Sequence, residues 1–242
     1  MLKIFRKTRQ HLLSIGKTKT YLKYAVGEIA LVVIGILIAL HINNSNTRVQ
    51  QSNTELKILQ SMKENLNSDI QEMEGNLKIY SLALKSTLEI LKVLNIPEYE
   101  TDSLNIYFGH LAAHVMFIET TSAYENLKTI GFEIIKSDNL KKNIMHIYGK
   151  QYQVIEVSES IYANYLNSNL NPVIFDNLIA VVGANPMSYP VDISELKNNQ
   201  RFNETLKYNL GLLNFLKETY TQIKPEVEAL VEQIDAEIEQ RK

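Results

Sequence analysis

Apolar and polar positions divide this chain into two regimes. Tyr24 to Ile42, YAVGEIALVVIGILIALHI, is an almost unbroken apolar run with Glu28 as its one acidic residue. Read as a helix rising about 1.5 Å per residue, it reaches about 28 Å, close to the ~30 Å hydrocarbon thickness of a bilayer. The pattern predicts one transmembrane helix over residues 24–42. Beyond it the apolar positions thin to stripes with steps of three or four. The first runs Leu56, Leu59, Met62, Leu66, Ile70, Met73, Leu77, Tyr80, Leu84, Leu88, Leu91, Leu94 and predicts one long helix that Pro97 ends. The second runs Leu206, Leu210, Leu213, Leu216, Tyr220, Ile223, Val227, Leu230, Ile234, Ile238, with a kink or short break expected at Pro225.

Shorter elements are expected between the stripes. Ser103 to His114 reads as a helix, and Ser122 to Ile130 as another that opens on a Ser-x-x-Glu capping box (Ser122, Glu125) and closes on Gly131. A further helix is expected from Asp138 to about Ser168, then a short buried helix over Pro172 to Val182. GANPMSYP, residues 183–190, reads as a loop. With no tryptophan, nine glycines and five prolines, the composition favours helices over a turn-rich β fold. The fold class expected is therefore all-α: a transmembrane helix at the amino-terminal end followed by an antiparallel bundle of long, coiled-coil-like helices.

Charge orients this arrangement. Residues 1–23 hold seven basic side chains (Lys3, Arg6, Lys7, Arg9, Lys17, Lys19, Lys23) and no acid, whereas residues 43–57 hold only Arg48 and Lys57. Basic residues beside a span resist translocation and gain about 1 kcal/mol each against an anionic leaflet. Residues 1–23 are thus expected to be a cytoplasmic, amphipathic, membrane-surface arm, and residues 43–242 an exported, periplasmic domain of a bacterial inner-membrane protein. That domain has 18 basic and 26 acidic residues, a formal charge of −8, which disfavours nucleic acid as a partner. A cleaved signal peptide is the rival reading, but the run ends ALHIN, without the small residues of an A-x-A site. The chain has no cysteine, so a lipid-modified cysteine, a disulfide framework and thiolate metal sites are excluded.

Two motifs carry a resemblance. FRKTRQ (residues 5–10) followed by YLKYAVGEIALVVIGILIALHINN (residues 21–44), together with SAYENLKTIG (residues 122–131) and IIKSDNLKKNIMHIY (residues 134–148), resembles an uncharacterised family of single-pass membrane proteins common in Gram-negative bacteria of the Bacteroidota type. Members usually carry Gln where this chain has His41 and Trp where it has Ser45. The resemblance implies single-pass topology and brings no assigned activity with it.

Candidate chemistry is sparse. A carboxylate inside a span costs up to about 2.5–3.5 kcal/mol at the bilayer centre, so Glu28 is the foremost functional candidate. It shares a helical face with Gly35 and Ala39, a small-xxx-small pair suited to close helix packing. That face predicts docking to a second copy or to another membrane protein, or, in an oligomer, a ring of Glu28 side chains that carries protons or cations. His110 and His114 stand four apart and are the only metal-ligand candidates, yet GHLAAH lacks the glutamate of HExxH and the nearest later acid is Glu119. No phosphate-binding glycine loop, nucleophile elbow or cofactor motif is present, and the acids fall on what read as solvated helix faces. No enzyme activity and no cofactor is therefore expected. The class that best fits is a membrane-anchored scaffold or accessory protein. A ligand sensor working through a partner, and a Glu28 conduit, are the alternatives.

Overall fold

The computed structural model describes residues 18–101, 103–181, 183 and 185–240. The fold is all-α, with 82% of it helical. Helix α1 is Thr18–Asn95, and the chain divides into two compact units at Glu55/Leu56 within that helix. In the first unit, α1 contains an 18-residue window of mean hydropathy 2.5 of which nothing is buried. It is the one helix among the described residues long and apolar enough to cross a membrane. Lys3, Arg6, Lys7, Arg9 and Lys17 lie outside the described residues, Lys19 falls within α1, and Lys23 is exposed.

The second unit is built from three long helical passes. Its first is the rest of α1. A crossover follows, with helices α2 (Leu104–Gly109) and α3 (Ser122–Ile130), an extended segment between them, and a 3₁₀ turn at Phe132–Ile134. The second pass is α4 (Asp138–His146), α5 (Tyr152–Tyr165) and α6 (Asn171–Asn177), joined by π-helical turns at Ile147–Gln151 and Leu166–Leu170. A hairpin of β1 (Leu178–Val181) and β2 (Met187–Pro190) and a short helix α7 (Ile193–Asn198) lead to the third pass, α8 (Gln200–Glu239).

Side-chain pairs give the directions. Lys63 meets Asp235 at 2.5 Å, Asn76 meets Tyr220 at 3.1 Å, Asn209 meets Thr87 at 3.1 Å, and Asn95 meets Asn203 at 2.8 Å. One number rises as the other falls, so α8 runs antiparallel to α1. Tyr152 pairs with Asp69 and Glu159 with Tyr80, both numbers rising together, so the second pass runs parallel to α1. Returning the chain for a parallel pass is what requires the long crossover.

The buried seam of α1 is Leu59, Met62, Leu66, Asp69, Met73, Asn76, Tyr80, Ala83, Thr87, Ile90, Leu94, an unbroken alternation of three and four. It differs from the apolar stripe read in the sequence. Ile70, Leu77, Leu84 and Leu91 flank it half-buried and Leu88 is exposed, while Asp69, Asn76 and Thr87 occupy the positions that face the other helices. In α8, Asn209 is likewise buried where Leu210 is only half-buried. Each polar seam residue makes a hydrogen bond across the bundle, although Asn209 Oδ1 is buried without a partner, and these bonds fix the register of the passes.

Several expected elements are corrected. The expected Ser103–His114 helix stops at Gly109, because the backbone of residues 109 and 186 meet: a Cβ on Gly109 would lie 2.3 Å from the Pro186 carbonyl oxygen. Residues Leu178–Val181 are a strand rather than helix, and Met187–Pro190, expected as loop, pairs with it. Helix α3 is capped by Thr121 without a side-chain bond, so the Ser122–Glu125 capping box does not form; Ser122 instead accepts from Asn65 Nδ2 at 3.0 Å. Gly131, at φ +105°, ends that helix in a conformation few other residues adopt. Pro225 lies inside α8, which continues through it, so the short break does not occur; the Thr221 carbonyl loses its helical donor there. Ser137, Asp192 and Asn199 cap α4, α7 and α8 through their side chains.

Candidate functional site

On the apolar part of α1, Glu28 is half-buried, and Gly35 and Ala39 are exposed. A Cβ added at Gly35 would meet nothing within 4 Å, so this stretch of helix presents a smooth face on which another helix can lie close. His110 and His114 do not share a helical face, because α2 ends before both. His110 Nδ1 donates to the Ile106 carbonyl oxygen at 2.7 Å. His114 packs its ring 5.9 Å from that of Tyr162, its Nε2 is buried without a hydrogen-bond partner, and burial lowers its pKa. Among the described residues no three His, Asp or Glu side chains converge as a metal site.

The densest polar chemistry lies inside the bundle, at residues the sequence did not single out. Residues 113–120 form an extended strap over the junction of α1 and α5. Three acids take up its backbone N–H groups: Phe117 donates to Glu159 Oε2 at 2.9 Å, Ile118 to Glu72 Oε1 at 2.9 Å, and Thr120 to Asp69 Oδ1 at 2.9 Å. Tyr80 adds a bond of its own, donating to the Val115 carbonyl oxygen at 2.6 Å. An isolated strand has no ladder to satisfy its backbone, and here side-chain carboxyl groups substitute for one.

Glu159 and Asp69 are both buried, correcting the expectation that acids keep to solvated faces. Glu159 Oε1 lies 2.5 Å from the Tyr220 hydroxyl and 3.0 Å from that of Tyr80; Tyr220 in turn accepts from Asn76 Nδ2. Asp69 Oδ2 accepts from Tyr152 at 2.8 Å. Burial pushes the Asp69 carboxyl above its usual 3.8, against the pull of the bonds from Tyr152 and Thr120. Burial, and then the Glu159 charge, push Tyr80 well above the usual tyrosine range; burial and the bond to Glu159 do the same to Tyr220. These hydroxyls therefore act as hydrogen-bond donors at any ordinary pH. Edge-on ring pairs complete the packing, Tyr80 with Tyr162 at 6.2 Å and Phe117 with Tyr152 at 5.1 Å.

A cavity of about 190 Å³ sits between α4 and α8, lined by Asn143, His146, Ile147, Glu226, Leu230 and Gln233. Its polar groups already pair with one another: Asn143 with Gln233 at 2.6 Å, and His146 and Gln151 with Glu226 at 3.2 and 2.5 Å. What the geometry offers is thus a braced helical bundle and a free helix face.

Fold and site together define an all-α protein with one amino-terminal helix long and apolar enough to span a membrane, followed by a helical unit locked by buried acid–tyrosine bonds. The chain belongs to the family of unknown function DUF6090, which matches residues 28–173, from Glu28 through the strap and into α6. No curated protein and no solved structure matches it.

Proposed function

We propose that this is a single-span protein of a bacterial inner membrane, with residues 1–23 cytoplasmic and residues 43–242 periplasmic, whose helical domain is a scaffold or accessory unit for other proteins of the envelope. The observation that carries the reading is the uncovered apolar window of α1, whose exposed side chains include Leu31, Ile34, Leu37 and Leu40. Water does not tolerate a continuous apolar surface of that length, so lipid and a packing partner on the Gly35/Ala39 face are its natural surroundings. The basic arm against the acidic domain supports the orientation. In this reading the domain is not an enzyme and binds no cofactor: Asp69, Glu72 and Glu159 are spent on the strap, and the polar groups lining the cavity between α4 and α8 are paired with one another.

The chain's lack of cysteine gives a direct test of orientation. Ser160→Cys, on the exposed side of α5, is expected to react with a membrane-impermeant maleimide in intact spheroplasts, and Ser14→Cys only after lysis. The reverse pattern overturns the topology. Gentle detergent extraction of the tagged full-length chain should bring down a second protein in fixed ratio; a monomer that runs alone at every detergent concentration would sink the scaffold role.

A further inference from the structure

The hairpin end of the bundle carries a surface that the fold leaves unused. Asn95 donates to Asn203, and Asn199 to Asn177, so the end of α1, the end of α6 and the start of α8 meet there. In the β1–β2 register Ile179 stands opposite Tyr189, and Val181 opposite Met187, so these four share one face. Leu178 and Ser188 point the other way and are buried. The outward face is apolar and open: Ile179 is 57% exposed, and Val191 and Phe175 beside the hairpin are 63% and 79% exposed. Apolar side chains placed together like this mark an interaction site more often than they occur by chance.

The backbone points the same way. This is the one sheet among the described residues and it has two strands, so the outer edge of β1 has no strand beside it. The start of β2 is covered, since Gly109 approaches the Pro186 backbone. A two-stranded ribbon is marginal by itself and gains both hydrogen bonds and apolar cover from a third strand.

Charge selects the occupant. Glu98, Glu100, Asp176, Asp192 and Glu195 are exposed at this end, against Lys197 and Arg201. That acidic rim repels a second copy of the same surface and repels anionic headgroups, and it attracts lysine and arginine. We propose that the edge of β1 and the Ile179/Val181/Tyr189 face receive an extended segment of a partner protein, apolar at alternate positions and flanked by basic residues. This rests on the scaffold reading and gives it a docking point.

The test is a photo-crosslinking amino acid placed in the full-length chain in its native membrane, at Ile179, at Tyr189 and, as a comparison away from the hairpin, at Ile161. Mass spectrometry then identifies the joined peptide. The expected result is one protein joined at positions 179 and 189 through a segment with lysine or arginine on both sides of an apolar stretch. Its yield should fall roughly threefold or more when ionic strength rises from about 0.05 to about 0.5 M. Asp176→Asn combined with Glu195→Gln, both on exposed side chains, should lower the yield similarly while leaving the melting temperature unchanged. Joining to a second copy, to lipid, or to a segment without basic residues overturns the proposal, as does no product at either hairpin position. A protein partner found at Ile161 alone would remove this docking point and leave the scaffold reading standing; no partner at any position would remove both.

Discussion

Replacing Glu159 separates a braced interior from a merely polar one. Its carboxyl group is bonded to the Phe117 N–H and the Tyr220 hydroxyl and shares the Tyr80 hydroxyl with the Val115 carbonyl. Glu159→Ala leaves Phe117 and Tyr220 without those acceptors, while Tyr80 keeps Val115. At about 1–3 kcal/mol for each buried donor left unsatisfied, plus the void left by one methylene and the carboxyl group, the cost should be about 3–6 kcal/mol. Glu159→Gln keeps the shape. Its oxygen accepts from Phe117 and its nitrogen donates to Tyr220, which then has no acceptor for its own proton, so the cost should be nearer 1–2 kcal/mol. In a domain of this size each kcal/mol moves the melting temperature by about 2–4 °C. Thermal unfolding of the full-length chain in detergent, followed by circular dichroism, should therefore rank wild type, Gln and Ala in well-separated steps. Hydrogen exchange at Phe117 should speed up in the Ala variant ahead of the helices. Equal melting temperatures for Gln and Ala, or an Ala variant within about 1 kcal/mol of wild type, would refute the bracing argument.

Other outcomes follow from the same geometry. Asp69 has a folded-state pKa raised above its ordinary 3.8, so the folded form holds the proton more tightly; its contribution to stability is fully present below that value and is lost as pH rises through the raised one. Asp69→Asn, which still accepts from Thr120 but leaves the Tyr152 proton without its acceptor, removes the titrating group and should flatten the melting-temperature profile above pH 3.8; a steeper profile would contradict the burial cost. Gly109→Ala drives a Cβ to 2.3 Å from the Pro186 carbonyl oxygen and should cost about 1–3 kcal/mol, measured by thermal unfolding; an unaffected protein would show that residues 109 and 186 do not touch. Glu28→Gln should leave the melting of the helical domain unchanged while weakening complexes extracted from the membrane, and complexes that survive intact would remove Glu28 from the docking face.

The long helices were legible because three-and-four spacing marks a buried face whatever covers it. Their facing was not fully legible. Reading only apolar residues draws the α1 stripe through Ile70, Leu77 and Leu84, whereas the buried line passes through Asp69, Asn76 and Ala83. The signal was present as a strict alternation of three and four through those polar positions, visible once polar residues are admitted to the seam. The strap was hidden for another reason: GHLAAH has the local propensity of a helix, and the close approach of Gly109 to Pro186 prevails over it. The hairpin was missed because β1 is a short apolar run directly behind a helix, which spacing alone cannot assign. The buried acids belong to no motif. Their role arises where α1, the strap and α5 converge, a long-range arrangement that no local spacing encodes.

The antiparallel pairing of α8 with α1 also governs how the molecule comes into being. Tyr220 and Asn76, which share a buried bond, are 144 residues apart in the chain. One of the three passes that close the seam is therefore supplied by a helix made long after the first. Until α8 arrives, Asp69 and Glu159 have the strap but lack the apolar wall that excludes water from them, and the first two passes expose a long apolar groove. A chain of this design closes its bundle only after α8 has been made, and it depends on protection of that groove in the interval.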